Sequence, residues 1–260
     1  MSISDKVLQY RKEFTSYVNE LRENSDDDKI VELAEMRNID VQVLKDAGIF
    51  YIADQAEMIL PEYFDKLRDF GVIAVNNKPI YNERWVIPIH DAKGYVMSLV
   101  GYKPGVQERY MYSTTKYFIR GDALYGLENL SDCINYGAVV VVEGIMDALR
   151  VRSFGTKYVI ATCGADKSWD RMLAFNGISK CLFIPDQDRA GSLTKEHWVS
   201  KTLLRLEIPK PFKDIDEFAR QNETTLSFCK DMVLGYLQYL KDEVPEGYRG
   251  NICVSKELGV

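Results

Sequence analysis

The run Val139 to Val142, followed at once by Glu143 and Gly144, constrains this chain more than any other stretch of it. β-Branched side chains favour extended backbone, and an unbroken apolar run has no face to offer to water. It therefore predicts a strand buried on both sides of a sheet. Similar runs recur downstream in KYVIATCG and KCLFIPDQD, and the helix-like stretches IMDALRVRSFG, DKSWDRMLAFNG and AGSLTKEHWVSK lie between and after them. Strands alternating with helices mean parallel crossovers, so residues 136–223 are expected to form a doubly wound α/β domain.

The preceding residues, 1–135, read differently, as opening helices followed by a mixed α+β subdomain. Residues 5–23 place Val7, Leu8, Phe14, Val18 and Leu21 near a helical period. Asp26 to Asp28 resemble a metal cluster in composition. They sit beside Ser25 and ahead of an apolar run, however, and so predict the cap of a helix over Lys29 to Arg37. Further helices are expected over 41–47 and 61–70, closed by Gly48 and Gly71. From Glu83 the period shortens: RWVIPIHD, GYVMSLVGYK and RYMYS predict antiparallel strands of a small sheet. At the other end, residues 224–260 are expected to supply a helix from Thr224 to Val244, carrying Phe228, Met232, Leu237 and Leu240, and then a loose tail. The segment 191–209 looks short for a full helix and strand, which predicts a trimmed α/β domain.

Composition narrows the function classes. With 260 residues, 46% of them hydrophobic and 28% charged, the chain can bury a sizeable core, which excludes a disordered protein. It has no apolar run of membrane-spanning length and no signal-peptide core at its start, so no membrane role and a cytoplasmic location are expected. Cys133, Cys163, Cys181, Cys229 and Cys253 are scattered, and with only His90 and His197 they offer no zinc-ligand spacing; reduced structural thiols and no zinc are expected. The net charge of −6 argues against binding nucleic acid until its distribution is read. Residues 1–65 hold 7 Lys/Arg against 15 Asp/Glu, whereas residues 84–120 hold 6 against 2, a local excess of +4.

Ligands of open α/β sheets sit beyond the carboxyl ends of the strands. Glu143 follows the first apolar run there, and Asp186 and Asp188 follow the run 181–185. Alone, the glutamate reads as a helix N-terminal charge and the aspartates as a turn. If the two strands are neighbours, three carboxylates meet and repel one another, and a divalent cation removes that cost. Magnesium is the expected ion, with manganese as a substitute.

VVVVEGIMDALR followed some forty residues later by FIPDQDRAG resembles the glutamate and Asp-x-Asp pattern of Toprim domains. Toprim domains serve several reactions, so the pattern points to a metal site before it points to an activity. Three further stretches resemble DnaG-type DNA primases of bacteria and phages. KDIDEF, Lys213 to Phe218, resembles the segment that completes their acidic cluster, as does Asp147 four residues beyond Glu143. RWVIPIHDAKGYVMSLVGYK and RYMYSTTKYFIRGDALYGL resemble their N-terminal subdomain up to its Leu-Tyr-Gly-Leu. The resemblance covers about residues 30 to 222 in the primase order.

The resemblance implies a Toprim-type parallel-sheet domain preceded by a primase N-terminal subdomain, and an enzyme that makes short RNA primers on single-stranded DNA from ribonucleoside triphosphates. It implies Glu143, Asp186 and Asp188 as the catalytic metal ligands, with Asp147, Asp214 and Asp216 around them. Arg84, Arg109 and Arg120, with Lys103 and Lys116, are its expected contacts to template or nucleotide phosphates, and Tyr110, Tyr112 and Tyr117 are weaker candidates for base stacking. His90 and Tyr112 depart from the family's usual arginine and asparagine, and no proline follows Ser113, which implies altered nucleotide selection. The family's zinc-binding module and helicase-binding domain have no counterpart in this sequence. A phage or mobile-element enzyme is therefore expected, in the host cytoplasm, with a replicative helicase or a separate zinc-binding template reader as partner. A Toprim-type nuclease and a non-catalytic module that binds single-stranded DNA or a helicase are the competing readings.

Overall fold

In the computed structural model the described residues are 3–73, 80–118, 124–164, 173, 176–187 and 202–253. They fall into two units, Met1–Arg120 and Gly121–Val260.

The first unit is organised by helix α1 (Ile3–Glu23), which buries Tyr10, Phe14, Tyr17, Val18 and Leu21 along one stripe. The sequence reading had Val7 and Leu8 in this stripe, yet both are only partly buried. Two tyrosines extend it instead, because a buried phenol needs a single partner: Tyr17 donates to the Met58 carbonyl at 2.7 Å and Tyr10 to the Asp69 carbonyl at 2.9 Å. Phe14 stacks on Phe70 with ring centroids 4.6 Å apart, and Tyr17 meets Phe70 at 5.2 Å. Helix α2 (Asp27–Arg37) starts where expected, with the Asp26 side chain accepting from the Asp28 N–H, so the acidic run is a cap. After α3 (Val41–Asp46), residues Pro61–Lys66 form a 3-10 helix rather than the longer helix expected over 61–70.

Four antiparallel strands complete this unit in the order β1 (Phe50–Ile52), β2 (Arg84–His90), β3 (Val96–Tyr102) and β4 (Tyr110–Tyr112). β2 and β3 lie where the alternating runs placed strands, and α1 closes over β3, with Thr15 Oγ1 accepting from the Val96 N–H at 2.9 Å.

The second unit starts with a bridge. Tyr125 exchanges two backbone hydrogen bonds with Ala161, each 2.9 Å, and Gly126 follows with φ +100°. A Cβ on Gly126 would stand 2.5 Å from the Val159 carbonyl oxygen, so only glycine lets the chain pass this close to the strand edge. Then come α4 (Leu130–Tyr136), β5 (Val139–Val142), α5 (Ile145–Ser153), β6 (Val159–Ala161), β7 (Lys180–Ile184), β8 (Thr202–Glu207), α6 (Ile215–Ala219), α7 (Glu223–Asp242) and β9 (Arg249–Cys253). The sheet is parallel throughout, in the order β6-β5-β7-β8-β9, and all four valines of β5 are fully buried.

The segment 191–209, expected to be short for a full helix and strand, supplies the strand β8, whose Arg205 interrupts the apolar run but pairs with Glu207 at 3.2 Å; its residues before Thr202 lie outside the described residues. One expectation for this half needs correction. The supposed loose tail contributes β9, parallel to β8 with Leu203 opposite Arg249. An edge strand pairs on one side only and needs no continuous apolar run, so RGNIC carries little strand signal. The stretches DKSWDRMLAFNG and AGSLTKEHWVSK lie almost wholly outside the described residues. Cys133, Cys163, Cys181 and Cys229 are buried thiols, and no described helix is long and apolar enough to cross a membrane.

Truncating the ring at the centre of the first unit tests this packing. Phe14→Ala is expected to cost about 3–5 kcal/mol, read as a lower denaturation midpoint at unchanged slope in chemical unfolding.

Candidate metal centre

The chain leaves β5 to form β6 on one side and returns to form β7 on the other, which makes the carboxyl ends of β5 and β7 a topological switch point. Register then does the positioning. Val142 lies opposite Ile184 and also opposite Ala161, so Glu143 and the Pro185-Asp186 turn emerge at the same level. Glu143 Oε1 accepts from the Asp186 N–H at 3.2 Å, and the Glu143 carbonyl accepts from the Cys163 N–H at 3.0 Å.

Two helices bring the remaining acids. Asp147 sits in the first turn of α5 and is buried. Gly144 makes this possible, because a Cβ there would come within 2.5 Å of Asp147 Oδ2. Asp214 caps α6 by accepting from the Glu217 N–H at 2.7 Å. Carboxylate oxygens of Asp147, Asp186 and Asp214 lie within 4.8 Å of one another, a spacing that one ion can bridge.

The electrostatics are those of a nest only partly compensated by one lysine. Desolvation holds the Asp147 carboxyl well above the usual aspartate range, and the charges of Asp214, Asp186 and Asp216 push the same way. Asp214 is also raised, first by burial, while the Glu217 N–H pulls it down and Asp186 and Asp216 push it up. Burial opposes the charge on Lys213, but its hydrogen bond to Asp186 and the surrounding aspartates outweigh this and raise it. Its Nζ stands 2.7 Å from Asp186 Oδ2 and 4.0 Å from Asp214 Oδ2.

The structure thus brings together Glu143, Asp147, Asp186 and Asp214, and treats Asp216 differently. Asp216 is buried, and its carboxylate is gripped by Arg150 Nε and Nη2, both at 3.1 Å, and by Arg220 Nε at 3.0 Å. Its N–H donates to Asp147 Oδ1 at 3.2 Å. It therefore joins α6 to α5 and orients Asp147, while its charge is spent on arginines. Asp188 and Arg120 lie outside the described residues.

The basic residues are also sorted by their surroundings. Arg84, expected at a phosphate, is buried and donates to the carbonyls of Glu108 and Arg109 at 3.1 and 3.2 Å. Arg109 is exposed. Lys103 pairs with Glu83 at 2.6 Å, and Lys116 with Asp69 at 2.9 Å. Tyr117 packs edge-on against Tyr10, while Tyr110 and Tyr112 are partly buried. Lys213 had no assigned role in the sequence reading. The signal was there in the base that directly precedes Asp214 in KDIDEF.

No family model matches the chain. A DNA primase of Clostridium acetobutylicum is 30% identical over 207 residues, covering 72% of this chain and 34% of that protein. A DNA primase of Escherichia coli K12 is 32% identical over 139 residues, covering 50% of this chain and 24% of that protein. Among solved structures, the zinc-binding and RNA polymerase domains of the Aquifex aeolicus primase align with a TM-score of 0.70 at 20% identity, covering 88% of this chain and 61% of that one. A DnaG primase catalytic domain bound to single-stranded DNA aligns with a TM-score of 0.68 at 21% identity, over 87% and 80%. The fold is that of a primase catalytic core, a parallel five-stranded α/β sheet with an antiparallel four-stranded companion. By sequence and fold together, the chain is a relative of the catalytic core of DnaG-type DNA primases. It spans about a third or less of the curated relatives it matches, 34% and 24% of their lengths.

The raised carboxyls fix a sign for the pH dependence. A group whose pKa is higher in the folded than in the unfolded state contributes stability below its unfolded pKa and loses it as pH rises through the folded value. Without divalent cation, Asp147 and Asp214 should therefore make the protein less stable at neutral pH than in mild acid. Excess magnesium should reverse this, adding about 2.7 kcal/mol at roughly a hundredfold excess over Kd. Calorimetry with chelator and with magnesium should show the gap widest at neutral pH and shrinking as pH falls; a gap independent of pH would contradict the assignment.

Proposed function

We propose that this chain is the catalytic core of a DNA primase, which copies single-stranded DNA into a short RNA primer from ribonucleoside triphosphates. The observation that carries the reading is the convergence of Asp147, Asp186 and Asp214, from three separate segments, at the carboxyl edge of a parallel sheet beside Glu143. A donor set made wholly of carboxylate oxygens suits a hard cation, magnesium first and manganese as a substitute. When bound, such an ion supplies charge against a triphosphate and lowers the pKa of an attacking hydroxyl.

The chain's own residues have separable tasks. Asp147, Asp186 and Asp214 hold the ion, and Asp188 is assigned with them on the sequence pattern. Glu143 fixes the Asp186 turn through its hydrogen bond, and Asp216 orients Asp147 from behind. The primer 3′ oxygen attacks the α-phosphorus, a new phosphodiester bond forms, and the bond to pyrophosphate breaks. Catalysis rests on positioning and on charge neutralisation. Arg109 and Arg120, with Lys103 and Lys116, are proposed for phosphate contacts. Arg84 acts through the loop it braces, which carries Arg109. The same reading sets the protein at a replication fork in the cytoplasm, the host's if phage-encoded, with a helicase or a template-reading zinc protein as partner.

Purified chain incubated with single-stranded DNA, labelled ribonucleotides and magnesium should yield short labelled RNA. Asp186→Asn and Glu143→Gln should lower that yield by about a hundredfold or more with thermal stability retained. DNA cleavage without RNA synthesis would instead assign the site to a nuclease.

A further inference from the structure

The nest has two kinds of positive partner, and they differ in whether they can leave. Asp216 is held by Arg150, whose side chain is completely buried, and by Arg220 through its planar guanidinium. The Arg150 contact joins α5 to α6 and cannot open without disturbing both, while Arg220 reaches Asp216 from one turn further along the same helix. Lys213 is different. Its backbone is clamped on both sides: its carbonyl accepts from the Gln187 N–H at 2.7 Å and its N–H donates to Glu217 Oε2 at 2.8 Å. The α-carbon is thereby fixed beside the site, tied to both the β7 turn and α6. The side chain, however, is 55% exposed and has a clear path to water. Its ammonium, a compact charge on a flexible stem, lies 2.7 Å from one carboxylate of the triad and 4.0 Å from a second.

A divalent cation liganded by Asp186 and Asp214 would bind carboxylate oxygens at about 2.0–2.6 Å. Nζ would then compete with it for the same carboxylate oxygens, with both charges positive. We infer that Lys213 is an exchangeable internal counter-ion: its ammonium occupies the carboxylate nest in the metal-free protein and is driven out when the cation binds, so that it sets the cation concentration at which the site fills. The inference rests on the reading of Asp147, Asp186 and Asp214 as a metal centre. It gives the empty site a stable state, and it makes cation entry a one-for-one exchange of partners at Asp186.

The test is a titration with Mn2+, followed by the electron paramagnetic resonance of the free ion, on the full chain and on Lys213→Met and Lys213→Arg. Removing the competing charge should tighten Mn2+ binding about tenfold in Lys213→Met. The same variant should melt below the wild type in chelator and above it in saturating Mn2+. Lys213→Arg, which keeps the charge, should restore weaker binding. If Lys213→Met fails to fold without metal, Lys213→Gln gives the same comparison with a polar head. Equal or weaker Mn2+ binding in the neutral variants overturns the counter-ion role and leaves the metal centre standing. A wild-type chain that binds no Mn2+ overturns the metal centre itself.

Discussion

Carboxylates forced together at the rim of a sheet repel one another, and the arrangement of the second unit is organised around containing that repulsion. Level strand ends set Glu143 against the Asp186 turn, and a glycine lets Asp147 fold back beside it. Backbone N–H groups of Asp186, Asp216 and Glu217 each point at an acid of the cluster. Arg150 and Arg220 absorb the charge of Asp216, which leaves Asp147, Asp186 and Asp214 facing one small volume. Arginine and backbone compensation stop short of neutrality at that point, and Lys213 supplies the nearest remaining positive charge, beside Asp186.

Features of the chain that depend on burial and period were readable from the sequence. Four valines mean a strand buried on both faces, and the helical pattern after Glu143-Gly144 places Asp147 on a first turn. Features that depend on a single partner were not. Tyr10 and Tyr17 join the core because each phenol finds one carbonyl, which no periodicity announces. β9 pairs along one edge only, and so RGNIC passes for a tail. Within the acidic set, spacing alone ranks Asp214 and Asp216 alike. Only the surrounding elements separate them: α5 brings Arg150 to Asp216, while Asp147 of α5 and Asp186 of the β7 turn converge on Asp214. Arg84 has the composition of a phosphate ligand, yet two carbonyls claim it.

The two units have different textures that match different tasks. The first is held by stacked aromatics beneath a four-stranded sheet, and its basic residues 84–120 are partly consumed in bracing loops and pairing with acids. The second is a parallel sheet whose switch point carries the acids.

Whether Asp147, Asp186 and Asp214 share one ion, as proposed, is decided by anomalous diffraction from crystals soaked in Mn2+. A single strong peak about 2.0–2.6 Å from oxygens of these carboxylates, with Lys213 Nζ turned away, is expected of the proposal. Strong peaks elsewhere at saturating Mn2+, with the three carboxylates bare, would contradict it.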